Sequence, residues 1–146
     1  MMMNQKYGRI VVGVDGSEGS KAALRWAVGQ AELTGAKVEA VAAWEYPATY
    51  GWAPMYSDDE TLPELTKKQV SETVRDTLGA EAADLIGVTV TEGQSAHVLL
   101  TSSAGADLLV VGRRGRGGFA GLLLGSVSQH CVHHASCPVV VVPRAE

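Results

Sequence analysis

Short runs of β-branched and other apolar residues alternate along the chain with stretches whose apolar positions recur every three or four residues. Residues 9–14 form the first such run, closed by Asp15-Gly16-Ser17, which predicts a buried strand and a turn. Ser17 suits the N-cap of a helix reaching about Thr34, with Leu24, Ala27 and Ala31 on one face and Ala23 and Trp26 beside them. Gly35 is placed to end it, and Lys37–Trp44 predicts a second strand. Residues 45–60 have no helical period and contain Pro47, Gly51 and Pro54, so they predict a loop. A further helix starts near Thr61, with Pro63 in its first turn and Val70, Val74, Leu78 and Ala82 stepping by four along its buried face. Residues 86–91 predict a third strand, 95–104 a helix, 108–111 a fourth strand, 126–135 the last helix and Val139–Val142 the last strand.

Strands and helices therefore alternate from end to end. The strands are continuous apolar runs, as expected of a parallel sheet covered on both faces, and right-handed crossovers make it doubly wound. Such sheets take ligands beyond the carboxyl ends of their strands, where the strand order reverses. If the first and fourth strands are neighbours, the loop at Asp15 and the loop after residue 111 face one crevice.

With 146 residues, one domain spanning 1–146 is expected. The formal net charge of −4 argues against non-specific nucleic-acid binding and makes the basic cluster Arg113, Arg114 and Arg116 a local feature. No stretch has the length of a membrane span, and residues 1–8 lack the apolar core of a secretory signal. The two cysteines, Cys131 and Cys137, form no disulfide scaffold, so the expected location is the cytoplasm.

The candidate chemistry lies at residues 112–126, Gly-Arg-Arg-Gly-Arg-Gly-Gly-Phe-Ala-Gly-Leu-Leu-Leu-Gly-Ser. Glycines admit close backbone approach, arginines supply planar donor forks, and Gly125-Ser126 at a helix start offers free N–H groups at the positive end of a dipole. The combination predicts a site for an anion, with a nucleotide's phosphates as the expected ligand. It is not a Walker loop: no Gly-Lys-Ser/Thr sets a lysine against the β- and γ-phosphates, and no water-activating base is evident. Binding without rapid turnover is the expectation, with no catalytic residue assigned.

On these residues the chain resembles the universal stress protein family, specifically its ATP-binding branch. That branch carries Gly-x2-Gly-x9-Gly-Ser/Thr, met here by Gly112, Gly115, Gly125 and Ser126. Val14, Asp15, Gly16 and Ser17 match the family's first strand end, and Cys137-Pro138-Val139-Val140-Val141 its closing segment. The resemblance implies a Rossmann-like five-stranded sheet in the order 3-2-1-4-5 with ATP, accompanied by Mg2+, between strands one and four. It implies that Gly13, Val14 and Asp15 meet the ribose or the metal end. Adenine would meet the backbone of Val41 and Ala42, and the ribose and phosphates the segment from Gly112, Arg113, Arg114 and Gly115 to Arg116 and Gly117. Gly125, Ser126 and Val127 would cradle the phosphates. It further implies a homodimer paired through Val139–Val142, and a stress-response regulator acting on a protein partner that the sequence does not identify. Two other readings stay open: a slow metal-dependent ATPase, and a dimeric interaction module that binds no nucleotide.

Other features have plainer readings. Asp15 could form only an Asx-turn, although Ser17 already suits the cap and leaves Asp15 free for a ligand. His130, Cys131, His133, His134 and Cys137 lie close in sequence, but the second matching pair of a zinc site is missing, so no metal site is assigned. Cys137 is expected to begin the last strand, while the histidines end the helix near its negative pole. Trp44, Tyr46, Tyr50, Trp52 and Tyr56 cluster in and beside one loop, either buried against the second long helix or serving as a lid over adenine or as a partner surface.

Overall fold

A computed structural model describes residues 8–45, 61–113 and 124–143. The aromatic loop (46–60) and the residues Arg114, Gly115, Arg116 and Gly117 lie outside the described residues.

The described elements alternate in chain order: β1 (Arg9–Gly13), α1 (Glu18–Thr34), β2 (Lys37–Trp44), α2 (Leu62–Leu78), α3 (Ala80–Ala83), β3 (Gly87–Glu92), α4 (Ser95–Ser102), β4 (Leu108–Gly112), α5 (Ser126–His134) and β5 (Val139–Val142). The strands form one parallel sheet in the order β3-β2-β1-β4-β5. Growth runs outward from β1 through β2 to β3, then restarts on the other side of β1 with β4. The reversal therefore falls between β1 and β4, which pair directly, Ile10 with Leu108 and Val12 with Val110.

Alternation along the strands feeds two cores. Ile10, Val12, Val38, Ala40 and Val110 face Ala23, Leu24 and Ala27 of α1 and Val70 and Val74 of α2. Val11, Val41, Leu109 and Val111 face Val98 and Leu99 of α4 and Cys131 of α5. Leu24 and Leu109 are fully buried, and each such side chain contributes roughly 1.5–3 kcal/mol. Ser17 caps α1, its Oγ accepting from the Ser20 N–H at 3.1 Å, and the Gly35 N–H closes the other end on Ala31 O at 2.8 Å.

Several expectations need correction. The second long helix does not carry its four-residue step on to Ala82: α2 stops at Leu78, Gly79 takes φ +89°, and Ala82 lies on the separate short α3. That left-handed conformation suits glycine and breaks the helical ladder. Trp26, expected beside the apolar face, is 37% exposed. Helix α4 ends at Ser102, two residues early, and Ala135 is a cap outside α5. Cys137 precedes β5 by two residues and packs beside Cys131 instead of starting the strand.

Candidate functional site

The chain leaves β1 by a tight, hydrogen-bonded turn. The Val14 N–H extends the sheet by donating to Val41 O at 3.0 Å. Asp15 Oδ1 then accepts from the Ser17 N–H at 2.9 Å, and Gly16 between them has φ +84°. This is an Asx-turn, which corrects the expectation that the cap at Ser17 leaves Asp15 free. One carboxylate oxygen is engaged; Oδ2 has no partner among the described residues and the side chain is exposed. The Ser20 hydroxyl locks the same turn, donating to Ser17 O at 3.0 Å and accepting from the Asp15 N–H at 3.3 Å.

The exit of β4 is built differently. A Cβ on Gly112 would lie 2.5 Å from Gly19 C and 2.6 Å from Gly19 O. Helix α1 thus crosses β4 so closely that only glycine fits. The first glycine of the loop answers to helix packing before any ligand. Arg113 continues the ladder through its N–H to Val142 O at 2.9 Å. Its carbonyl accepts from the Gly125 N–H at 2.8 Å, so the two ends of the intervening segment are pinned together. Its Nε is buried and has no hydrogen-bond partner among the described residues.

Ser128, which sequence reasoning missed, completes this junction. It is 2% exposed, and its Oγ lies 2.9 Å from Gly112 O and 2.8 Å from Arg113 O, its one proton shared between the two carbonyls. A small hydroxyl within the first turn after Gly-Ser was the only signal for it. The junction fixes the mouth of α5 at the end of β4. Gly125 caps the helix with φ −73° and ψ 170° and offers no capping side chain. The N–H groups of Ser126, Val127 and Ser128 have no acceptor within the helix. They carry the positive end of its dipole.

These exits frame one cleft. An inner recess of about 60 Å³ is lined by Gly13, Val14, Asp15, Val41, Ala42, Gly112 and Val127, and by Leu99 and Ser128. A Cβ on Gly13 would meet Leu99 Cδ1 at 2.8 Å, so Gly13 and Leu99 together set the recess depth. The outer cleft, about 940 Å³, adds Gly125 and Ser126 on one side and Gln69, Glu72, Thr73 and Asp76 of α2 on the other. That is at the upper end of the usual size for a small-molecule site. Among the described residues the outer lining carries Asp15, Glu45, Glu72 and Asp76 against one cation, Lys21, itself 3.0 Å from Glu18 Oε2. No histidine or cysteine is among the described lining residues.

The structure thus gathers Gly13, Val14, Asp15, Val41, Ala42, Gly112, Gly125, Ser126 and Val127 around one space. Arg113 supplies backbone beneath it rather than lining. The α2 wall was not anticipated: nothing in its sequence separates polar residues facing a cleft from those facing solvent.

Away from the cleft, burial and the nearby Cys137 push the Cys131 thiol up to about 11. Among the described residues no helix is long and apolar enough to cross a membrane.

Residues 6–143 match the sequence profile of the Universal stress protein family. A universal stress protein of Thermus aquaticus is 36% identical over 143 residues, covering 93% of this chain and 98% of its own. One from Mycolicibacterium smegmatis is 35% identical over 144 residues, covering 94% of this chain and 48% of its own, so the chain spans about half that relative's length. Among solved structures, a universal stress protein in complex with cAMP is 27% identical with a TM-score of 0.69, covering 97% of this chain and 100% of that one. An Arabidopsis thaliana family protein with AMP bound shares the fold at 19% identity and a TM-score of 0.61, over 94% of this chain and 92% of that one. By sequence profile, by relatives matched over most of its length and by its β3-β2-β1-β4-β5 sheet, the chain belongs to the universal stress protein family.

Proposed function

We propose that this chain is a single nucleotide-binding domain that holds ATP in the β1–β4 crevice and acts as a regulator rather than a fast-turnover enzyme. The observation that carries the reading is the mouth of α5. Three backbone N–H groups free of helical acceptors stand on the cleft at the end of β4, opposite Asp15, with glycine at the cap so that no side chain blocks approach. Relatives of the same fold solved with cAMP and AMP support an adenine nucleotide as the ligand class. The phosphates would lie against Gly125 and on the free N–H groups of Ser126 and Val127, and the ribose near Asp15 and Gly112. Adenine would lie by Val41 and Ala42. Arg114 and Arg116 would add charge, alongside Gly115 and Gly117, while Arg113 anchors the segment through its backbone. The acidic lining disfavours a bare triphosphate, which supports entry as the Mg2+ complex, with the unengaged Asp15 Oδ2 on the metal side.

Holding rather than hydrolysing is supported by the sequence of the loop. No Gly-Lys-Ser/Thr sets a lysine against the β- and γ-phosphates, and Lys21 of the described lining is paired with Glu18. A ligand on α5 acts at the base of segment 114–124, whose ends Arg113 and Gly125 are hydrogen-bonded. It is therefore placed to alter the surface that a protein partner reads. The edge strand β5 suits pairing with a second copy. Calorimetric titration of the purified chain with Mg-ATP tests the reading, with mass spectrometry of any nucleotide that co-purifies. One equivalent bound, weakened by Gly115→Ala, is expected. No heat at high protein concentration, together with no effect of that substitution, overturns it.

A further inference from the structure

The last turn and a half of α5 presents His130, His133 and His134, all exposed. The function proposed above leaves them unused: they sit at the end of α5 remote from the cleft. His130 and His134 are one helical turn apart, so their side chains project from the same strip of surface. Their ring centroids are 5.2 Å apart and the rings are tilted by 40°, not stacked. None of the three rings has a hydrogen-bond partner among the described residues.

That separation has a chemical meaning. An imidazole nitrogen sits about 2.0–2.1 Å from a bound zinc-class ion and about 1.1 Å from its own ring centre, which places each ring centre about 3.2 Å from the metal. Two such rings at a tetrahedral angle have centres about 5.2 Å apart. The ring centres therefore stand at the separation a shared ion requires, and chelation needs one nitrogen of each exposed ring turned to that ion. The C-terminal end of a helix is the negative pole of its dipole, which favours a cation there. Among the described residues no three His, Cys, Asp or Glu side chains gather as a closed site would require. The second ligand pair that the sequence lacks is needed only for a closed site; an open chelate needs two nitrogens and water.

We propose that His130 and His134 form an open, solvent-accessible chelate for a divalent transition-metal ion of the copper or zinc class. Imidazole selects such ions over Mg2+ and Ca2+, which take oxygen ligands, and Cu2+ binds more tightly than Zn2+. An ion bridging two successive turns also holds the last turn of a nine-residue helix closed.

The test is titration of the intact chain with Cu2+ and, separately, Zn2+ in a non-coordinating buffer, followed by calorimetry, by Cu2+ electron paramagnetic resonance and by thermal unfolding. The expected result is one equivalent with nitrogen hyperfine structure and a rise in Tm. Affinity should fall by at least about tenfold in His130→Ala and in His134→Ala, since each removes one arm of the chelate. His97→Ala, on α4, and His133→Ala should leave it within about twofold. These side chains are exposed, so the variants should fold, and their metal-free Tm checks this. Undiminished binding in the His130→Ala/His134→Ala double variant overturns the proposal, as does loss on Cys137→Ser with no loss in the histidine variants. A loss at His133→Ala equal to that at His134→Ala overturns the two-ligand assignment.

Discussion

Gly112 offers the sharpest test of how the cleft is built. In Gly112→Ala the new methyl would stand 2.5 Å from Gly19 C, 2.6 Å from Gly19 O and 2.9 Å from Gly19 Cα. Ordinary contact begins near 3.4 Å, so α1 and β4 must part by about 0.9 Å. The obstacle is backbone and no rotamer change relieves it, in an interior packed to crystal density. The expected cost is about 3 kcal/mol, the upper part of the range for overpacked sites. For a chain of this size that lowers Tm by roughly 6–12 °C. Gly29 supplies the opposite sign within the same helix: a Cβ there meets nothing within 4 Å. Gly29→Ala should add about 0.5–1 kcal/mol and raise Tm by a few degrees, since alanine is the better helix former. Thermal and urea unfolding of both variants, followed by circular dichroism, gives the two numbers. A Gly112→Ala protein as stable as the parent but weaker in nucleotide binding would refute the packing argument and return this glycine to the ligand.

Three further outcomes follow from the same geometry. Ser128→Ala deletes the proton shared by the Gly112 and Arg113 carbonyls and should cost about 1–2 kcal/mol, read by urea unfolding, with no change in fold. Asp15→Asn keeps an Oδ1 acceptor for the Ser17 N–H but removes the charge; stability should hold while Mg-ATP affinity falls, and unchanged affinity would reduce Asp15 to its turn. The Cys131 thiol, raised from 9.0 to about 11, should resist alkylation in the native protein at pH 8 while the half-buried Cys137 reacts. The folded state holds that proton more tightly than the unfolded state. Its contribution of roughly 2–3 kcal/mol is therefore complete below pH 9 and lost as pH rises towards 11, a decline that Cys131→Ala should abolish.

Much of this was legible in the sequence because local chemistry decided it. Ser17 bounds α1 through its hydroxyl and Gly35 through its left-handed backbone, and β2 and β5 occupy the predicted residues, because apolar runs between turn residues have few alternatives. The strand order came from the family resemblance, since periodicity says nothing of which strands adjoin. Trp26 was misplaced because it stands two positions past Leu24, about 200° round the helix. The break at Gly79 escaped notice because Leu78 and Ala82 preserve a four-residue step across it. Asp15 illustrates a further limit: an aspartate at a strand's carboxyl end can serve a ligand, a turn, or one with each oxygen. The packing role of Gly112 was invisible for another reason. Its partner, Gly19, lies 93 residues away, and glycine spacing in a loop reads the same whether a phosphate or a helix fills the space.

The central claim is that the backbone N–H groups at the mouth of α5 hold the phosphates, and Ser126→Pro tests it directly. Gly125 already has φ −73° and ψ 170°, the conformation a residue before proline prefers, and proline is favoured at the first position of a helix. The substitution therefore keeps the fold and removes one donor. Ser126→Ala serves as the control that removes only the hydroxyl. A charge-assisted hydrogen bond is worth about 1.5–3 kcal/mol, so calorimetry with Mg-ATP should show Ser126→Pro binding about 10- to 150-fold more weakly than Ser126→Ala, at unchanged Tm. Equal affinity of the two variants would contradict the account.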